Sequence, residues 1–147
     1  DVLVTRNVTW NLHNQEKAYG HWTRVLAPGG LLLNFDANWY RYLWDEEAKR
    51  AHTQDRENLA VSDVRDENAG TNVDAMEAIA RQTPLSMRAR PAWDLKTLSG
   101  LGIQASADEE IWRQVWTREE RINNASTPMF LVEGRKAPAA FRSAANY

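Results

Sequence analysis

Residues Trp22 to Tyr40, WTRVLAPGGLLLNFDANWY, decide how the rest of the chain is read. They pass from the end of a helix through Pro28-Gly29-Gly30 into the apolar strand GLLLNFD, which closes on an acidic and aromatic tip. Upstream, DVLVTRNV is a short β-branched run ended by polar residues, the pattern of a strand buried on both faces of a parallel sheet. Between the two, Asn14 is placed to cap a helix whose apolar positions Ala18, Trp22, Val25 and Leu26 form one stripe, expected to lie on the sheet. Gly20 costs that helix about 1 kcal/mol relative to alanine, and the proline-glycine turn stops it. Strand, helix and parallel strand make a βαβ unit over residues 1–38. Its two tips, Thr5 to Trp10 and Asp36 to Tyr40, lie at the strand carboxyl ends, where ligands of open α/β sheets bind.

Residues 39–90 read as a helical insert or lid. Helix-compatible sequence runs from Trp39 to about Leu59, with Asp45/Lys49 and Glu46/Arg50 as i,i+4 pairs in the favourable order. ENAGTN breaks it, and Thr71 with Asp74 resembles a capping box for a short helix carrying Val73, Met76 and Ala80 before Pro84. So long a connection suits a lid or binding element. Residues 91–136 then close the sheet. PAWDLKTLSGLGI gives a helix from Pro91 ended by Gly100 or Gly102, IQASADEEIW a weak strand, and TPMFLVEGRK a last strand with Pro128 confined to its start or to an edge. Residues 137–147 read as an alanine-rich tail.

Composition narrows the class. With 43% hydrophobic and 26% charged residues the composition is that of an ordinary globular protein, and disorder of the whole is not expected. A net charge of −2 gives no general attraction to nucleic acid or anionic membrane, and neither is expected as a partner. No cysteine is present, which excludes disulfides, thiolate metal sites and cysteine nucleophiles. A cytoplasmic setting is compatible, and no long apolar run or leader is seen. The chain begins at Asp1 rather than methionine, which suggests the second half of a longer enzyme.

Four segments, DVLVTRNVTWNLHN, WTRVLAPGGLLLNFD, PAWDLKTLSGLGI and TPMFLVEGRK, together resemble the C-terminal half of class I S-adenosylmethionine-dependent methyltransferases of small molecules. The Arg-Val-Leu-x-Pro-Gly-Gly segment before an apolar strand is the most specific piece. The resemblance covers residues 1–36 and about 91–136 and leaves the insert unexplained. It implies an α/β, Rossmann-like sheet in which these strands are the fourth to seventh, the last inserted antiparallel. It also implies that the glycine-rich turn and the ribose-holding acid lie upstream, so that this part alone is inactive and lacks most of the cofactor cradle. Gly29-Gly30 is no substitute, because it precedes a strand instead of opening a helix. With the first three strands missing, DVLVTRNV becomes an open edge, and a homo-oligomer or a missing N-terminal half is the expected partner.

The resemblance maps the cofactor's methionine moiety and the adjoining acceptor onto Arg6, Asn7, Val8 and Trp10. Against this stands a plain reading, in which Asn7 caps the turn and Trp10 packs under the helix. Trp39 and Tyr40 are the substrate-binding candidates, with Tyr42 and Trp44 in the same aromatic run, since ring faces stabilise cations. For catalysis no residue stands out. Asp36 and His13 are weak candidates for a general base, as an Asp starting a turn or a solvated loop histidine is the commoner case. His21 is expected on an exposed helix side, His52 in a charged helix, and Asp108-Glu109-Glu110 at a solvated strand end, with no metal site expected. Two other classes stay open, a noncatalytic α/β interaction module and a nucleotide-dependent oxidoreductase fragment.

Overall fold

The computed structural model describes residues 1–139, so all but the first residues of the expected tail lie outside it. Four strands, β1 (Val2–Arg6), β2 (Leu31–Asp36), β3 (Gln104–Asp108) and β4 (Phe130–Arg135), form one mixed sheet in the order β1-β2-β4-β3. β1 and β2 are parallel, and β4 lies between β2 and β3, antiparallel to both. Helix α1 (Gln15–Val25) joins β1 to β2, and α4 (Ala92–Gly100) precedes β3. The insert holds α2 (Glu46–Ala60) and α3 (Val73–Ala80), and α5 (Trp112–Val115) and α6 (Arg118–Asn123) link β3 to β4. Among the described residues no helix is long and apolar enough to cross a membrane.

The turn between α1 and β2 shows why both glycines stand there. Gly29 has φ +77°, a conformation that costs any residue with a Cβ. At Gly30 a Cβ would sit 2.5 Å from Asp1 Oδ1 and 2.8 Å from the Ala27 carbonyl oxygen. The chain therefore reverses tightly enough to bring β2 back beside β1. Pro128 lies before β4 begins, so its missing N–H removes no ladder bond.

One face of the sheet carries the core. Leu32, Phe130 and Val132 pack with Tyr19 and Leu26 of the α1 segment and Leu98 and Ile103 of the α4 segment. The buried side of α1 is rotated from the expected stripe. Val25 points outward, 57% exposed, while Gln15, Tyr19 and Thr23 are buried. Tyr19 can go inside because its hydroxyl finds partners there, so the apolar pattern alone misplaces the face.

The other face is barely covered, which corrects the expectation that DVLVTRNV is buried on both sides. Val2 and Val4 are each 59% exposed, and Leu31, Leu33 and Phe35 beside them are half-buried. β1 is also an edge strand, so its outer backbone groups have no sheet partner among the described residues. Two details of the insert differ as well. Asn72, not Thr71, caps α3, accepting from Ala75 N–H, and the helix expected from Trp39 starts only at Glu46, capped by Asp45. Before it lies a 3-10 turn, Arg41–Leu43, because Tyr40 adopts a left-handed conformation that no helix continues.

Candidate functional site

Two polar constructions stand at the carboxyl ends of β1 and β2. The first is closed. Arg90, buried just before α4, grips Asp94 with two bonds, Nε to Oδ2 at 2.9 Å and Nη2 to Oδ1 at 2.8 Å, and reaches Asp36 Oδ2 with Nη1 at 2.8 Å. Asp36 also accepts from Trp10 N–H at 3.0 Å and Ala37 N–H at 3.0 Å. Tyr19 Oη donates to Asp94 Oδ1 at 2.6 Å and accepts from Asn34 Nδ2 at 2.7 Å, while Thr5 and Thr9 hydroxyls donate to Asn34 Oδ1. Asn38 pairs with the Arg90 backbone in both directions, and the guanidinium lies 5.1 Å from the Phe130 ring centre.

Asp36 and Asp94 are wholly buried, as is the Arg90 head. Burial raises the Asp36 carboxyl above its usual range, against the pull of Arg90 that lowers it. Burial also works against the Arg90 charge, but its hydrogen bonds to Asp94 and the charges of Asp36 and Asp94 outweigh it, so the guanidinium is held more firmly protonated than usual. Each guanidinium nitrogen of Arg90, the Asn34 amide nitrogen and the Tyr19, Thr5 and Thr9 hydroxyls all find an acceptor within this network. Asp36, a weak candidate for a catalytic base, is thus a structural clasp joining β2 to α4 and to the loop after β1.

The second construction is open. A cavity of about 330 Å³ is lined by Asn7 and Trp10 after β1, by Trp39, Tyr40 and Tyr42 after β2, by His52, Asp55 and Arg56 of α2, and by residues of the α2–α3 loop, α3 and the segment after α6. The tips of both parallel strands and the insert therefore meet here. Trp10 and Tyr40 ring centres are 5.3 Å apart and tilted by 39°, Tyr40 and Tyr42 are 5.9 Å apart and tilted by 40°, and Tyr42 stacks on His52 at 3.9 Å and 1°. Val73 and Met76 of α3 face the cavity from the insert and remain partly exposed, 41% and 42%.

Strain and unmet polarity are concentrated at this cavity. Asn7 (φ 56°) and Tyr40 (φ 63°) are the non-glycine residues with left-handed backbone among those described, and both line it. For Tyr40 that conformation is costly, and such strain persists where the surroundings enforce it. Trp39 Nε1 and Arg56 Nε are buried without an acceptor among the described residues. Burial raises the Tyr42 hydroxyl, as do its hydrogen bond to Glu77 and that carboxylate's charge. His52 is shifted down, by burial first and by the Arg56 charge second, which favours the neutral ring at neutral pH.

Of the residues singled out from the sequence, the cavity gathers Asn7, Trp10, Trp39 and Tyr40, but not Arg6, Val8, Asp36 or His13. Arg6 turns to an ion pair with Glu120 at 2.5 Å, and Val8 is 38% exposed. His13 and His21 are exposed, and Asp108 accepts from Glu110 N–H in an exposed turn. Trp44 lies outside the cavity, donating to Ser86 Oγ at 3.1 Å. His52 and Asp55 also line the cavity, and neither was proposed for binding from the sequence. Among the described residues no cluster of three or more His, Asp or Glu is placed to hold a metal ion. No family model, curated protein or solved structure matches the chain.

Proposed function

We propose that this chain forms the acceptor-side part of a small-molecule methyltransferase that uses S-adenosylmethionine, with the cofactor's ribose and adenine held by residues outside these 147. The observation that carries this is the strand order β1-β2-β4-β3, with β4 antiparallel between β2 and β3, the arrangement expected of the fourth, fifth, seventh and sixth strands of that sheet. The bare edge of β1 and the exposed Val2 and Val4 beside it are where the missing strands and their helices would pack. Asn7 and Trp10 would meet the methionine end of the cofactor, and Trp39 and Tyr40 the acceptor, in the cavity the two strand tips share. Methyl transfer is an in-line displacement, and holding the acceptor against the sulfonium methyl supplies much of its rate gain, so no nucleophile triad is required.

Calorimetric titration with S-adenosylmethionine tests this directly. The 147-residue chain should bind weakly or not at all, and a chain extended by the residues encoded before Asp1 should bind at micromolar concentration. An extended chain that ignores the cofactor would overturn the proposal. The open β1 edge carries a second consequence, because unpaired strand groups are a template for another chain. The isolated chain should sediment as a dimer or larger assembly, and Val4→Lys should shift it toward monomer. A well-dispersed monomer at high concentration would contradict the missing-strand account.

A further inference from the structure

Asp55 is a buried carboxylate with no cationic partner among the described residues. It sits in α2, is 5% exposed, lines the aromatic cavity, and accepts one described hydrogen bond, from Ser126 N–H at 2.8 Å. No Lys, Arg or His among the described residues forms an ion pair with it. Its neighbour Arg56 is turned elsewhere, Nη1 pairing with Asp66 Oδ1 at 3.1 Å and Nη2 donating to the Asn123 carbonyl. Glu67 adds a second carboxylate to the same lining. A buried charge without a partner is costly, and an opposite charge brought to it offsets that cost.

The surrounding rings fit such a guest. Trp10, Tyr40, Tyr42 and His52 form a continuous wall in which each ring is within 6 Å of the next. Aromatic faces attract cations, and most strongly where water is excluded. A volume of about 330 Å³ is at the small end for ligand sites, enough for one ring and a short chain.

We propose that this cavity binds a small organic ammonium ion, its N–H groups directed to Asp55 and its apolar frame against Trp10, Tyr40 and Tyr42. This names the ligand class for the site assigned above, and rests on the transferase reading only where the ammonium is taken to be the methyl acceptor. Binding of the ammonium requires no cofactor, so the two can fail separately.

The probe is phenethylammonium, followed by calorimetry and tryptophan fluorescence against two isosteres, neutral 2-phenylethanol and anionic phenylacetate. The ammonium should bind about tenfold or more tighter than the alcohol, the difference a hydrogen-bonded charge makes, and the anion should not bind. Asp55→Asn keeps an acceptor for Ser126 N–H, and should abolish that preference while leaving the weak binding of the alcohol. Asp63→Asn, at an exposed ion pair with Arg118, should change nothing. Equal binding of ammonium and alcohol to the native chain would overturn the inference even if Asp55→Asn failed to fold. So would no binding by any of the three. S-adenosylhomocysteine, which carries an ammonium of its own, is the last arm. Displacement of phenethylammonium by it at micromolar concentration would give the cavity to the cofactor and overturn the assignment to an acceptor. Cofactor binding by the extended chain without ammonium binding would remove this inference and spare the transferase.

Discussion

Asp36 and Asp55 are both buried carboxylates at the same end of the sheet, and their surroundings are opposite. Asp36 meets a guanidinium and two backbone N–H groups, in a network shared with Asp94, Tyr19 and Asn34. Asp55 meets one backbone N–H and a wall of aromatic rings. A buried carboxylate matched by a buried cation holds elements together, whereas one without a cation has room to receive one. Depth of burial alone does not separate architecture from binding. The set of partners does.

The largest way to break the contrast is to open the closed side. Arg90→Met leaves Asp36 and Asp94 buried without a cation, and should lower the unfolding free energy by about 3–5 kcal/mol in urea denaturation. Arg90 lowers the Asp36 carboxyl, so without it the folded protein holds that proton to a still higher pH, further above the unfolded chain than in the native protein. The folded variant then binds more protons than the unfolded one, and its stability falls as pH rises, so the deficit should be smaller near pH 5 than near pH 8. A loss below about 1 kcal/mol, or one that grows on acidification, would mean that the clasp is not what holds β2 to α4.

A smaller effect sharpens the same side. Tyr19→Phe removes one hydroxyl and strands both Asn34 Nδ2 and one bond to Asp94, and should cost about 1–3 kcal/mol. Ammonium binding should be unchanged, because Tyr19 does not line the cavity. The smallest effect on stability is expected on the open side. Tyr40→Gly relieves a left-handed backbone that costs about 1–2 kcal/mol in an L-residue, and loses the packing of a half-buried ring of similar size. Stability should stay within about 1 kcal/mol while phenethylammonium binding falls about tenfold. A variant that unfolds with its binding would make Tyr40 a core residue instead.

The sheet was legible because its signals are local. GLLLNFD after Pro28-Gly29-Gly30, the Asn14 cap and the Pro91 helix start each depend on a few neighbouring residues, and each element stands where it was expected. The strand tips were also readable, and four of the six residues named for binding meet at one cavity. The clasp was not, since Asp36 and Arg90 are 54 residues apart and no spacing links them. Tyr19 was overlooked because a stripe drawn from apolar residues passes over a tyrosine whose hydroxyl is satisfied inside. A usable hint did exist in α2. Ala48, His52, Asp55 and Leu59 fall at i, i+4, i+7 and i+11, one helix face that mixes apolar residues with a histidine and a carboxylate. Read as a charged, solvated helix, that face hid two residues that line the cavity.

Seven tryptophans make one measurement more direct than the rest. In proton-nitrogen correlation spectra titrated with phenethylammonium, the indole N–H signals of Trp10 and Trp39, which line the cavity, should move together along one binding curve. Those of Trp22 and Trp93 beside the clasp and of Trp112 should stay in place. Shifts at Trp22 or Trp93 with Trp10 and Trp39 unmoved would put the ligand at the closed network, and would contradict the division between a carboxylate that builds and one that binds.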